Sequence, residues 1–119
     1  MKSLLLVAHG SRRSESNDEV RALVKKMSSM DHGFAEIKAA FLELSDPLIP
    51  DGIRQLIHNG AKEVVVLPYF LSAGRHVVKD VPADVDVVQR EFPDIKITIA
   101  PYLGEADEIS DILFKQANS

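Results

Sequence analysis

At 119 residues, with 45% hydrophobic and 27% charged positions, the chain has the size and make-up of one soluble globular domain, expected to span residues 1–119. It has no cysteine, which excludes disulfides, thiolate zinc sites, cysteine nucleophiles and cysteine-ligated iron–sulfur clusters. A formal charge of −4 argues against a nucleic-acid partner, and no apolar run approaches the roughly 20 residues of a membrane helix.

The first element is the apolar run Ser3–Ala8. It follows Lys2 as a signal peptide's core would, but it is too short, and His9-Gly10-Ser11-Arg12-Arg13 stands where a small-residue cleavage site would be. A strand in a cytoplasmic protein is the expectation. Ser16 and Glu19 have the spacing of a capping box, and Val20, Leu23, Val24, Met27 and Met30 recur at helical intervals. A helix over about 15–30 follows, stopped by Asp31-His32-Gly33. Residues 35–42 read as a strand, with Glu36 and Lys38 marking it as an edge. Asp46 and Pro47 suit the N-cap and first turn of the next helix, whose buried face is Ile49, Ile53, Leu56 and Ile57. Residues 63–68 read as a strand whose apolar run, unbroken from Val64, is expected to be covered on both faces and to end near Pro68. Gly74 is expected to let the following loop turn. Residues 76–92 predict a helical turn from His76, a break, and a fresh start with Pro82 in the first turn. Ile95, Ile97 and Ile99 alternate with Lys96 and Thr98 as another edge strand. Ile109, Ile112 and Leu113 mark a last helix.

Strands alternating with helices imply a parallel sheet. The two fully apolar strands belong at its centre and the two with interleaved charges at its edges. That predicts an α/β, flavodoxin-like fold: an open four-stranded parallel sheet in the order 2-1-3-4, with right-handed crossovers and helices on both faces.

In such a sheet the ligand crevice lies at the carboxyl ends of the strands, where the winding reverses. His9 leaves strand 1 and His76 follows strand 3, so both flank that crevice, and Glu43 leaves strand 2. A single loop histidine is more often a packing or surface residue; two at the switch point bring a shared site level with that bland reading. Two imidazoles and a carboxylate suit divalent iron, cobalt, nickel or zinc, and the imidazoles could equally accept protons near neutral pH. Arg12, Arg13, Arg75 and Lys79 would line the crevice mouth, where an anionic ligand needs local positive charge. Tyr69, Phe70 and Leu71 read as core or wall. His32 and His58 sit near helix ends and read as surface residues.

Leu5-Leu6-Val7-Ala8-His9-Gly10-Ser11-Arg12 resembles the opening of the small CbiX-type sirohydrochlorin chelatases, the class II chelatases. Ala40–Pro47, Val66–Pro82 and Pro101–Gly104 resemble that family's later blocks, in the same order over nearly the whole chain. The resemblance implies insertion of a divalent metal, cobalt first with nickel or iron as alternatives, into sirohydrochlorin, a tetrapyrrole with many carboxylates. It places the family's two active-site histidines on His9 and His76 and its metal-side glutamate on Glu43. Longer relatives carry two such domains, so a chain of this length is expected to pair as a homodimer with its sites at the junction. No permanently bound cofactor is implied, and the metal is a substrate. Arg12, Arg13, Arg75 and Lys79 could bind the peripheral carboxylates, with help from backbone N–H groups near Gly10 and Ser11; Phe70, Leu71 and Gly74 would lie along the macrocycle.

Two rival functions share the same residues. His-Gly followed by arginine resembles the opening of the histidine phosphatases, but Ala8 stands where that family has an arginine. A non-catalytic carrier of metal or tetrapyrrole would use the same side chains as a chelatase.

Overall fold

The computed structural model describes residues 1–119. The strands are β1 (Lys2–Ala8), β2 (Ile37–Phe41), β3 (Glu63–Pro68) and β4 (Lys96–Ile99); the helices are α1 (Ser14–Ser28), α2 (Ile49–His58), α3 (Val81–Glu91) and α4 (Ile109–Ala117). All strand pairs are parallel and the order is β2-β1-β3-β4, as the apolar and charged strand patterns predicted. No helix is long and apolar enough to cross a membrane.

Alternate residues of each strand face opposite layers. Leu5, Val7, Ala40, Val64 and Val66 pack beneath Ile49, Ile53 and Leu56 of α2 and Val81, Val85 and Val88 of α3. On the other face Leu4, Leu6, Ile37 and Ala39 pack against Val24 of α1. Arg54 ties the two helices of the first layer together, donating to both carboxylate oxygens of Glu91 at 2.9 and 2.6 Å.

The second layer holds one helix, not two. For that reason β3 departs from expectation: Val64, Val66 and Pro68 are buried, but Val65 and Leu67, under the edge of α1, are only half covered. The apolar stripe of α4 is left open as well, with Ile112, Leu113 and Phe114 at 48%, 63% and 71% exposure.

Three local expectations are corrected. The Ser16–Glu19 capping box does not form, because α1 begins earlier, with Arg13 at the N-cap and no side-chain cap. Asp46 does not cap α2: the chain runs on past a cis Asp46–Pro47 bond, Phe41 N–H donates to Pro47 O, and the helix starts at Ile49 behind Leu48. There is no break before Pro82. A π-turn, His76–Asp80, runs directly into α3, and Asp80 and Val81 both keep helical angles. Pro82 falls in the first turn of α3, where its missing N–H costs nothing.

Candidate functional site

The ladder between the two left-hand strands continues past their ends and fixes the site's first two members. Leu42 N–H donates to Ala8 O at 3.0 Å, and Glu43 N–H donates to His9 O at 3.1 Å. His9 and Glu43 thus leave the sheet side by side, with His9 Nε2 3.6 Å from Glu43 Oε1. This close passage requires Gly10. Its φ is +93°, and a Cβ there would lie 1.8 Å from Glu43 O. Gly10 is therefore a structural necessity for the His9–Glu43 pairing, apart from any contact with a ligand.

α1 buttresses both loops through residues that the motif reading passed over. Asn17 is buried; its Oδ1 accepts from Ser11 N–H at 2.9 Å and its Nδ2 donates to Ser11 O at 2.8 Å. The Ser11 N–H is thereby occupied, which removes it from the proposed anion-binding set. Arg21 donates to Ser45 Oγ at 2.6 Å and to Asp46 O at 3.0 Å, bracing the loop after β2, and its guanidinium lies over the Phe41 ring. Asn17 could have been noticed: it sits three residues before Val20 on the buried stripe of α1, where a polar residue needs an internal partner.

Between them, in the same loop, Leu44 adopts φ +66° with its side chain 53% exposed. A leucine in the left-handed region costs about 1–2 kcal/mol. Leu44→Gly is expected to raise the melting temperature by relieving that strain. If the exposed isobutyl group is a wall for a ligand, activity falls in the same variant; melting and turnover measured together read both effects.

On the other side of the switch point, Tyr69 N–H donates to Val7 O at 2.7 Å and holds the end of β3 against β1. Gly74 does not act as the expected hinge. It lies outside the left-handed region, and a Cβ there would meet nothing within 4 Å. Its carbonyl instead accepts the N–H groups of Val77 and Val78, each at 3.1 Å, and so starts the π-turn. That wider turn sets His76 and Asp80 on one side of the segment, with His76 Nδ1 2.8 Å from Asp80 Oδ2. Local π geometry often marks functional segments. A carboxylate can only accept, so in the neutral imidazole this contact favours the tautomer with the proton on Nδ1 and the lone pair on Nε2.

The result is that His9 and His76, 67 positions apart in the chain, face one another. Their ring centroids are 4.5 Å apart and their planes tilted by 47°. Both rings are about half exposed. Glu43, His76, Asp80 and Asp84 line a shallow hollow of about 220 Å³ with Leu42 and Ala83. Burial, and then the charge of Asp80, push the Asp84 carboxyl above its ordinary pKa. No group of three or more histidine and carboxylate side chains is arranged as a closed metal cage. The hollow is also smaller than the roughly 300–1,000 Å³ of sites that enclose a ligand. The largest concavity, about 850 Å³, lies elsewhere, between Asp46, Arg54, His58 and Phe92, away from the paired imidazoles.

Arg12, Arg13, Arg75 and Lys79 are all exposed. Of these Arg13 has an ion-pair partner, Glu15, at 3.6 Å. Phe70 is half-buried against the first core layer, and Leu71 is 72% exposed beside it. His32 and His58 take no part in the site. His32 Nδ1 accepts Phe34 N–H in the turn after α1, and His58 is exposed at the end of α2.

The fold is one that solved chelatases share. The sirohydrochlorin chelatase SirB of Bacillus subtilis subspecies spizizenii superposes with a TM-score of 0.89 at 24% identity, over 98% of this chain and 50% of that one; at this identity the likeness speaks to the fold. A CbiX protein from Marinobacter aquaeolei VT8 gives a TM-score of 0.80 at 25% identity, covering 99% of this chain and 98% of that one. The CbiX family model matches residues 3–119, and the chain belongs to the CbiX family. It is 35% identical to the sirohydrochlorin cobaltochelatase of Methanococcus maripaludis, over 99% of both chains. It is 36% identical to the chloroplastic sirohydrochlorin ferrochelatase of Arabidopsis thaliana over 92% of this chain, but spans only 48% of that protein.

Proposed function

We propose that this chain inserts a divalent metal ion into sirohydrochlorin, with cobalt as the first candidate and iron or nickel as alternatives. The observation that carries the reading is the 4.5 Å approach of the His9 and His76 rings at the switch point of the sheet. The names of its relatives, which divide between cobaltochelatase and ferrochelatase, support the substrate and leave the metal open.

The chemistry follows from the reaction's balance. Two pyrrole N–H protons leave as one M²⁺ enters, so the site must take protons and hold a partly dehydrated cation. His76, fixed by Asp80, presents Nε2; His9 stands opposite, with Glu43 beside it. Each imidazole could pass the metal, accept a proton, or do both in turn. Glu43 offsets the positive charge that either event leaves behind. The exposed Arg12, Arg75 and Lys79 are free to meet peripheral carboxylates, while Arg13 must first give up Glu15. Leu71 and Leu44 offer apolar surface beside them. A hollow of about 220 Å³ does not enclose a macrocycle, which favours a homodimer that closes the site between two copies.

Asp80 is the member of this set that the motif reading missed. Asp80→Asn keeps the shape but can turn an N–H toward Nδ1, favouring the wrong tautomer. The expected result is a loss of about 10–100-fold in turnover, as for groups that orient metal-binding histidines, with little change in KM for the tetrapyrrole. Steady-state rates against sirohydrochlorin concentration check this; an unchanged turnover removes Asp80 from the mechanism.

The phosphatase alternative loses ground on geometry. Phosphoryl transfer needs dense positive charge around the histidine. His9 instead has a carboxylate 3.6 Å away, and the preceding Ala8 is buried in the sheet. A carrier would bind both substrates without accelerating their union, which an insertion assay distinguishes directly.

A further inference from the structure

Two leucines stand at the carboxyl edge of the sheet with their side chains in solvent. Leu44, in the loop after β2, is 53% exposed, and Leu71, in the loop after β3, is 72% exposed. Single exposed leucines are ordinary on a protein surface. What sets this pair apart is how firmly the backbone holds each of them.

Leu44 is fixed from both sides. Before it, Glu43 N–H donates to His9 O at 3.1 Å, and Gly10 packs on the peptide that joins Glu43 to Leu44, where a Cβ would lie 1.8 Å from Glu43 O. After it, Arg21 donates to Ser45 Oγ at 2.6 Å and to Asp46 O at 3.0 Å. The backbone so fixed puts Leu44 at φ +66°, a region that leucine avoids. Leu71 is held in a matching way by the turn Leu103–Glu105. Gly104 N–H donates to Phe70 O at 2.9 Å, and a Cβ on Gly104 would lie 1.8 Å from Leu71 O. Each leucine thus has a glycine pressed against a carbonyl of its own or the preceding residue. Neither leucine belongs to a core cluster, so the fold gains no packing from them.

Their places in the sheet relate them to the imidazoles. β1 lies between β2 and β3, so Leu44 and Leu71 straddle His9, and His76 follows Leu71 in the chain. The strands that carry them are two spacings apart, about 9.6 Å. Arg12, Arg75 and Lys79 are exposed in the same loops and the turn that follows. A rigid apolar pair across the imidazoles, with cations around it, suits a ligand that is apolar at its centre and anionic at its rim.

We infer that Leu44 and Leu71 are the substrate-contacting residues that read the ring itself. They grip the conjugated body of the tetrapyrrole on either side of the His9–His76 pair, while the cations read its carboxylates. Groups already fixed in place lose little freedom on binding, and strained backbone of the Leu44 kind persists at ligand clamps. This deepens the proposed function and rests on it.

Asparagine has nearly the shape of leucine, is polar, and tolerates the left-handed region. Leu44→Asn should therefore hold the loop at least as well as the parent and lose only the apolar contact. Leu71→Asn tests the other side, and Leu44→Met restores an apolar side chain at the strained position. Met30→Asn is the control: Met30 is 61% exposed, near the turn whose Ala35 N–H donates to Lys2 O at the opposite edge of the sheet. Binding of metal-free sirohydrochlorin is titrated by absorption, and melting, sedimentation and insertion rates are recorded on the same preparations. The expected result is a dissociation constant raised about 10-fold in each of the two asparagine variants, as for loss of one apolar contact. Leu44→Met should recover most of the loss, Met30→Asn should match the parent, and mass should be the same throughout. Unchanged binding in both asparagine variants overturns the grip and leaves the chelatase reading standing. A rise in one alone removes the other leucine and with it the two-sided grip. Equal losses in Leu44→Met and Leu44→Asn would trace the effect to loop shape, and a changed mass would trace it to contact between copies; either overturns the inference. A parent that neither binds nor metallates the tetrapyrrole overturns both readings.

Discussion

Replacing His9 or His76 by alanine is expected to lower metal insertion by about 100-fold or more, the usual loss when a positioned acid–base group is removed. Each variant should remain folded, because both rings are half exposed and neither belongs to a core cluster. The comparison that gives the experiment its force is with the other two histidines. His32→Ala and His58→Ala should stay within about 2-fold of the parent, since His32 only accepts a turn N–H and His58 faces solvent. Initial rates of the four variants at one metal concentration decide the matter. Equal losses in all four would remove the ring pair as the site. A loss in His9→Ala without one in His76→Ala would assign the chemistry to the His9–Glu43 pair and leave His76 a bystander.

Gly10→Ala is expected to be the most damaging single methyl group that can be added to the chain. The substitution carries two penalties. The backbone at +93° is strained for any L side chain, at about 1–2 kcal/mol, and the new Cβ falls 1.8 Å from Glu43 O. Relieving that overlap means parting the His9 O to Glu43 N–H bond, which runs 3.1 Å across the same gap. A destabilisation of about 2–4 kcal/mol follows from strain and overpacking together. Activity should fall further than stability, because the loops that separate are those carrying His9 and Glu43. Chemical denaturation and insertion rates measured on the same preparation check both parts. An alanine variant as stable as the parent would mean that the two loops do not run in contact. By contrast Gly74→Ala should leave stability nearly unchanged, with open space around it and no left-handed backbone to strain.

These two residues show how unevenly the molecule could be read from its residues. Sheet order was legible because burial writes itself into strands: Ser3–Ala8 and Val64–Pro68 hold no charge, while Glu36, Lys38 and Lys96 mark the edges. Once the order is known, a residue just past a strand's carboxyl end has a position in space, and that is how His9, Glu43 and His76 could be brought to one crevice. What escaped were features set by contact between loops. That Gly10 is held against Glu43 depends on a ladder running past its strands. Asn17 and Arg21 act across a distance in sequence, on Ser11 and on Ser45–Asp46. The π-turn at His76–Asp80 was hidden because Pro82 suggests a break, whereas the widened turn delivers the chain to the helix before the proline's missing N–H matters. The stripe of α4 gave the helix, yet Ile112, Leu113 and Phe114 stay exposed, because periodicity reports that a face seeks cover and does not say what supplies it.

The most direct test follows the absorption spectrum of sirohydrochlorin mixed with the protein and Co²⁺, Ni²⁺ or Fe²⁺ at matched free concentrations. The expected result is conversion to the metallated spectrum far faster than in the protein-free control for at least one metal, with the acceleration lost in His9→Ala and in His76→Ala. Binding of the tetrapyrrole and metal with no gain in rate over the control would contradict catalysis and leave a carrier in its place.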